Sequence, residues 1–285
     1  MPKRSAPLTG RSRTSVPPLD PMRYAPTAAR PLRGKARQMA HHMDIQPHWH
    51  SWAQLVFSMS GAVRVSAQGD GSDSSYLVPP SRAVWIPTGV IHAVTAVEQA
   101  DLRTVYLHES AVQQLAASGD WSRCRVLDVT PLLRELVVQL ATAPDGESVD
   151  PPDRARERGI NALILDELRR ARSLQLGLPL PREGRLRRVC EAMLDEPLRH
   201  ADIEGWAAEA ATSARTLSRW FTEELGTSYG QWRQQLLLAK ALAMAARKLP
   251  MQLIAAELGY ASPSAFSAMV TRAVGMPPSR FFAEA

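Results

Sequence analysis

The sequence predicts an α+β multidomain chain, with an N-terminal β-barrel or sandwich followed by an all-α region that ends in two tandem helix-turn-helix units. Three observations predict it. Short apolar runs separated by Gly and Pro turn signals fill residues 54–107, as in an all-β barrel or sandwich. From residue 109 the apolar residues recur at three- and four-residue steps, the period of a helix. Residues 202–226 and 250–275 repeat one another in degenerate form, the mark of a duplicated supersecondary unit.

The 285 residues are enough for more than one core, and a hydrophobic content of 45% is ordinary for a globular chain. An uninterrupted apolar run of about 18 residues is missing, so no membrane span is expected. The basic N-terminus lacks the apolar stretch of a signal peptide. Cys124 and Cys190 fall in different predicted domains and outside any CxxC pattern. That argues against a disulfide framework and fits the cytoplasm. The formal net charge is +6, divided as +8 over residues 1–37, −4 over 38–181 and +2 over 182–285. Charge alone therefore supports a nucleic-acid partner weakly, and the pattern of the last hundred residues has to carry it.

Residues 1–37 are rich in Pro, Arg, Ser and Thr without apolar periodicity, and read as a disordered basic tail. Residues 38–108 read as the barrel. The runs are Gln54–Gly61, Ala62–Ala67, Tyr76–Val78, Ala83–Pro87, Ala93–Val97 and Leu102–Leu107, with Gly69–Ser72 as a turn. Residues 109–181 read as a helical dimerisation and linker region. Thr130-Pro131 starts one helix, with Leu132, Leu133, Leu136, Val137 and Leu140 on its apolar side. After a breaker over Ala143–Asp153, Ile160, Leu163, Ile164 and Leu168 form a second stripe, which joins two copies or packs on its own barrel. Leu178–Pro181 reads as a linker.

Residues 182–285 hold the repeat. Ala207-Ala208-Glu209 recurs as Ala255-Ala256-Glu257, and Gly226 as Gly275. Asp202, Ser213 and Ser262 are N-cap candidates, with Pro263 at a first helical position. Ala208 and Ala255 are expected where two helices cross. Leu217, Phe221 and Leu225 form one buried stripe, and Phe266, Val270 and Val274 the other. The opposite faces carry Arg215, Ser218 and Arg219 in the first unit and Ser264, Ser267 and Thr271 in the second. Such faces can enter a major groove. A helix from Tyr229 to about Ala246 connects the units, roughly 27 Å long. A helical bundle without DNA affinity is the bland alternative, to which two tandem units on a rigid connector are poorly suited.

Residues 183–282 resemble the DNA-binding domain of AraC/XylS-type regulators. The resemblance rests on Arg215–Phe221, Glu224-Leu225-Gly226, Ala255–Tyr260, Ser262–Phe266 and Gly275–Phe281. It implies a bacterial transcription factor in which Arg215, Ser218 and Arg219 approach bases, with Ser264 and Ser267 as a second set. Ala268 stands where the second recognition helix often has a basic residue, which implies weaker base reading by that unit.

His48-x-His50-x3-Gln54-x6-Gly61, followed by Pro87-x-Gly89-x2-His92, resembles the two cupin motifs, whose barrel binds a metal through three histidines and one glutamate. Here Gln54 replaces the carboxylate. A neutral amide is a poorer ligand and leaves one less negative charge beside a divalent cation. His48, His50 and His92 are the metal candidates. Together with Gln54 and Trp85 they are also the candidate effector pocket, and Trp49, Trp52 and Phe57 are further possible walls. No cofactor beyond that divalent metal is implied. The expected function is a sequence-specific DNA-binding regulator, not an enzyme, governed by a small-molecule effector in a cupin-like domain. A cupin oxygenase or isomerase with a DNA-binding appendage is the competing reading. Expected partners are double-stranded DNA, the effector, a second copy of the chain, and RNA polymerase if the protein activates.

Overall fold

A computed structural model describes residues 14–68, 73–80, 82–116, 119–140, 142, 145, 153–174, 177–181 and 184–282. The tail expectation for residues 1–13, the Gly69–Ser72 turn and most of the Ala143–Asp153 breaker lie outside the described residues.

The strands are β1 (Thr14–Val16), β2 (Leu32–Met39), β3 (Met43–His48), β4 (Ala53–Ser58), β5 (Val63–Gln68), β6 (Asp73–Val78), β7 (Arg82–Ile86), β8 (His92–Ala96) and β9 (Ala100–Leu107). Helix α1 (Glu109–Ala116), β10 (Arg125–Asp128), α2 (Pro131–Gln139), α3 (Arg154–Arg170), β11 (Ser173–Leu174) and β12 (Leu178–Leu180) follow. Two six-stranded sheets form, in the orders β1-β3-β8-β5-β6-β12 and β11-β10-β7-β4-β9-β2. Alternation decides which side chains face inward. Val56, Val84 and Ile86 join one core with Val63, Val65 and Val94 of the other sheet. Leu55, Phe57, Trp85 and Val105 point outward and are covered by Leu115 of α1, Leu133 and Val137 of α2, and Ile164 and Leu168 of α3.

Three sequence expectations are corrected here. The barrel does not begin at residue 38. β2 pairs with β9 along its whole length, from Leu32↔Leu107 to Met39↔Ala100, and β1 lies parallel to β3. The reason is that Arg33 and Lys35 of β2 are buried with polar partners, Asp145 for Arg33 and the Tyr106 hydroxyl for Lys35. A basic run can therefore serve as a strand at the sheet edge, with its basic side chains buried against polar partners. Residues 109–181 are not purely helical, because β10, β11 and β12 belong to the sheets. Leu178–Leu180 is a strand instead of a linker. It pairs with β6 at a sheet edge, where Pro179 is tolerated.

The stripe expected on α3 is divided. Ile164 and Leu168 are buried in the chain's own core and Ile160 packs partly against it, while Leu163 is 47% exposed.

The C-terminal helices are α4 (Gly184–Asp195), α5 (Ile203–Glu209), α6 (Ala214–Leu225), α7 (Tyr229–Ala246), α8 (Met251–Glu257), α9 (Pro263–Val274) and α10 (Pro278–Phe281). Helices α5 and α6 form the first helix-turn-helix, α8 and α9 the second, and α7 connects them. Trp206, Leu217, Phe221, Trp232 and Leu236 build the first unit's core together with Leu178 and Leu180 from β12. Ile254, Ala255, Phe266 and Val270 build the second, shared with Leu237, Leu238, Ala241 and Leu242 of α7. Ala207 is the buried counterpart of Ala255, whereas Ala208 is exposed. The close crossing in the first unit thus falls one residue earlier than expected.

Candidate functional site

Two sites take shape, one inside the barrel and one on the helical half. In the barrel, β3 ends at His48 and β8 begins at His92, and the two are directly paired across the sheet after a bulge. His50 lies in the turn between β3 and β4. Its carbonyl accepts from the Gly89 amide at 3.0 Å, and Gly89 has φ +77°, a conformation open to glycine at little cost. Gln54 of β4 faces the same interior.

One ring nitrogen from each of His48, His50 and His92 lies within 4.8 Å of the others. Each ring donates its Nδ1–H to a backbone carbonyl: His48 to Gln46 at 2.9 Å, His50 to Trp52 at 2.7 Å and His92 to Val90 at 2.9 Å. A neutral ring with its proton on Nδ1 has its lone pair on Nε2. The Nε2 of His92 is buried without a hydrogen-bond partner, and the residue is 1% exposed. The Nε2 of His50 is 2.6 Å from Gln54 Oε1. Two acceptors side by side call for a rotated amide or a cation bound to both.

Burial holds all three imidazoles below their usual pKa, and His92 falls to about 3. Their lone pairs are thus free at neutral pH. Lys35 donates to the Tyr106 hydroxyl at 2.5 Å, and Tyr106 meets His50 edge-on at 5.1 Å. Burial first, then Arg37, pushes Lys35 down to about 8. Trp52 stacks on His50 at 5.0 Å with rings 7° apart.

Of the aromatic walls expected, only Trp52 is at the site. Trp49 is 62% exposed. Trp85 is a correction. It pairs with Leu55 in register, so both point away from the Gln54 face, and its Nε1 donates to the Trp121 carbonyl at 2.9 Å in the layer beneath the helices. Lys35 and Tyr106 escaped the sequence reading, Lys35 because it sits in the basic stretch taken for a tail.

On the helical half, both second helices are capped alike. Ser213 accepts from Thr216 N at 3.1 Å, and Ser262 from Ala265 N at 3.2 Å. Gly226 and Gly275 end the helices in left-handed conformation. With Leu217 and Phe221 buried, α6 presents Arg215, Ser218 and Arg219 to solvent. Arg219 Nε is 3.6 Å from Glu223 Oε2, a weak exposed pair. With Phe266 and Val270 buried, α9 presents Ser264 and Thr271, with Ser267 half-buried. Sequence reasoning missed two exposed residues on these helices, Thr222 on α6 and Arg272 on α9. Arg272 is one turn beyond Ala268, and that spacing was the available signal.

Comparison with known proteins follows the same division. The helix-turn-helix domain family matches residues 206–284, and the AraC-like ligand binding domain family matches residues 32–168. The HTH-type transcriptional regulator NimR of Escherichia coli (strain K12) is 32% identical over 236 residues, 83% of this chain and 81% of the relative. The arabinose operon regulatory protein of Salmonella typhimurium is 29% identical over 154 residues, 53% of each chain. Among solved structures, ToxT from Vibrio cholerae O395 aligns with 89% of this chain and 99% of its own at 11% identity and a TM-score of 0.36. With a ligand-binding domain and a helix-turn-helix domain in this order, and a regulator aligned over most of both lengths, the protein belongs to the AraC family of DNA-binding transcription regulators.

Proposed function

We propose that this regulator senses its effector at a divalent cation held by His48, His50 and His92, and reads DNA with α6 and α9. The convergence of three imidazoles, with one ring nitrogen of each within 4.8 Å of the others and each Nδ1 bound to a backbone carbonyl, carries the reading. A carbonyl behind each ring fixes tautomer and orientation, which is how ligating histidines are held. The buried His92 Nε2, without a hydrogen-bond partner, has the character of a metal-ligand atom. Gln54 can add an amide oxygen. Without a carboxylate in the set, a bound cation keeps its charge uncompensated and favours an electron-rich oxygen of the effector. We read the site as a sensor because the chain belongs to a family of transcription regulators.

Cobalt(II) titration of the full chain tests this. One ion per chain should bind with a visible absorption band, and His92→Ala should lose the band while keeping its fold and basal DNA affinity. Equal cobalt binding by wild type and His92→Ala would overturn the reading.

On DNA, Arg215, Ser218 and Arg219 approach base edges in one half-site and Ser264, Ser267 and Thr271 in the next, with Arg272 on the backbone. A homodimer completes the reading. Since Ile164 and Leu168 are buried in the chain's own core, it would use the exposed Leu163 face of α3. RNA polymerase is the further partner if the protein activates. A DNA-binding regulator of a bacterial family acts where the DNA lies, so the cytoplasm is the compartment we propose.

A further inference from the structure

A cavity of about 440 Å³, lined by none of the three histidines, lies between the barrel and the second helix-turn-helix unit. Its size is that of a small-molecule site. The barrel side offers Arg82, Asp128 and Arg172, and the helical side offers Gln235 of α7 and Arg280 of α10. Leu238, Val274, Met276 and Phe281 supply apolar wall.

The charges in this wall are unbalanced. Three arginines line it against one aspartate. That aspartate is already engaged: Arg82 Nε is 3.0 Å from Asp128 Oδ1, and the two residues are paired across β7 and β10. Arg172 is fixed at the rim by its own carbonyl, which accepts from the Asp128 amide at 3.1 Å. Its side chain and that of Arg280 are exposed, and neither makes an ion pair among the described residues. Two uncompensated guanidinium groups, one from each half of the molecule, thus face one cavity.

We propose that this cavity is a second ligand site, for a small organic anion whose carboxylate or phosphate bridges Arg172 and Arg280. Guanidinium forks bind such oxyanions in bidentate fashion, and the apolar wall takes the carbon body. The anion ties the barrel side to α10, which follows α9 in the second helix-turn-helix unit, so its binding depends on how the two halves are docked. Ala273, which lines the cavity, is nine residues beyond Ser264, which puts it on the opposite side of the helix.

The test uses the full chain with citrate and with inorganic phosphate as separate probes, against potassium chloride at equal ionic strength. A saturable rise in the unfolding midpoint is expected with one of the two probes, and which one responds identifies the oxyanion. Arg172→Gln and Arg280→Gln should each weaken binding by about tenfold or more, with the double variant no worse than the weaker single one. His92→Ala should keep the full response, which separates this site from the barrel proposal. A shift that follows ionic strength alone, that survives in both arginine variants, or that is missing with both probes up to tens of millimolar overturns the inference.

Discussion

At the scale of single residues, the arginines of α6 differ in what surrounds them. Arg219 stands on the exposed face behind buried Leu217 and Phe221 and has only a loose partner in Glu223. It can leave that partner for a base edge without breaking a buried contact. Arg219→Ala should therefore weaken binding to the specific site by about 1–3 kcal/mol and relax sequence preference in one half-site. Equal weakening on specific and random DNA, measured by competition at fixed salt, would assign Arg219 to a phosphate instead. The histidines make a different kind of statement. Their pKa values are lowered by burial, His92 to about 3, so the unfolded chain binds protons below about pH 6.5 that the folded chain refuses. Stability is then complete above that pH and falls as the pH drops from about 6.5 toward 3. Denaturant unfolding of chelator-treated protein between pH 7.5 and 5 should show this fall, and His92→Gln should flatten it.

At the scale of elements, the second helices owe their ends to local chemistry. Gly226 closes α6 at φ +64°, with open space where a Cβ would stand. The penalty for a side chain there is conformational, with no clash added. Gly226→Ala should cost about 1 kcal/mol, and Gly226→Asn less, because Asn tolerates the left-handed region. Thermal midpoints of the two variants, compared with wild type, check the order. Helix α7 has a different problem. It buries Trp232 and Leu236 toward the first unit and Leu237, Leu238 and Leu242 toward the second, and a further face meets the barrel. A helix apolar on so many sides is stable only within its surroundings.

At the scale of the whole molecule, the halves are joined more closely than a linker would allow. β12 pairs with β6 in the barrel sheet while Leu178 and Leu180 fill the core of the first helix-turn-helix unit, and Trp232 Nε1 donates to the Pro179 carbonyl at 2.8 Å. Ala239 of α7 packs on Ala62 and Leu77 of the barrel. Two ion pairs cross the same junction, Arg64 with Asp195 at 2.6 Å and Arg187 with Asp73 at 2.7 Å. A change inside the barrel can therefore reach the spacing of α6 and α9 through packed side chains. Ala239→Leu should overpack this contact and destabilise the chain by about 1–3 kcal/mol. It should also turn a single urea transition into two, with altered DNA affinity. An unchanged transition would show that the docking is looser than the packing implies.

Sequence alone determined the features that repeat or obey a short period. The limits of α7, the caps at Asp202, Ser213 and Ser262 and the stripes of α6 and α9 were legible because each depends on neighbours three or four positions away. The gathering of His48, His50 and His92 was implied by the likeness of their two motifs to the cupin motifs. Tertiary structure decided the rest. β2 reads as a basic tail until Arg33 and Lys35 find Asp145 and Tyr106, at separations of 112 and 71 residues. Trp85 turns away from the histidines because its register with Leu55 puts it on the outer face. The Leu178–Leu180 segment becomes a strand through an edge that only the folded barrel provides. Local chemistry is written along the chain, but a buried charge or an edge strand depends on a partner far away in sequence, and only folding brings that partner near.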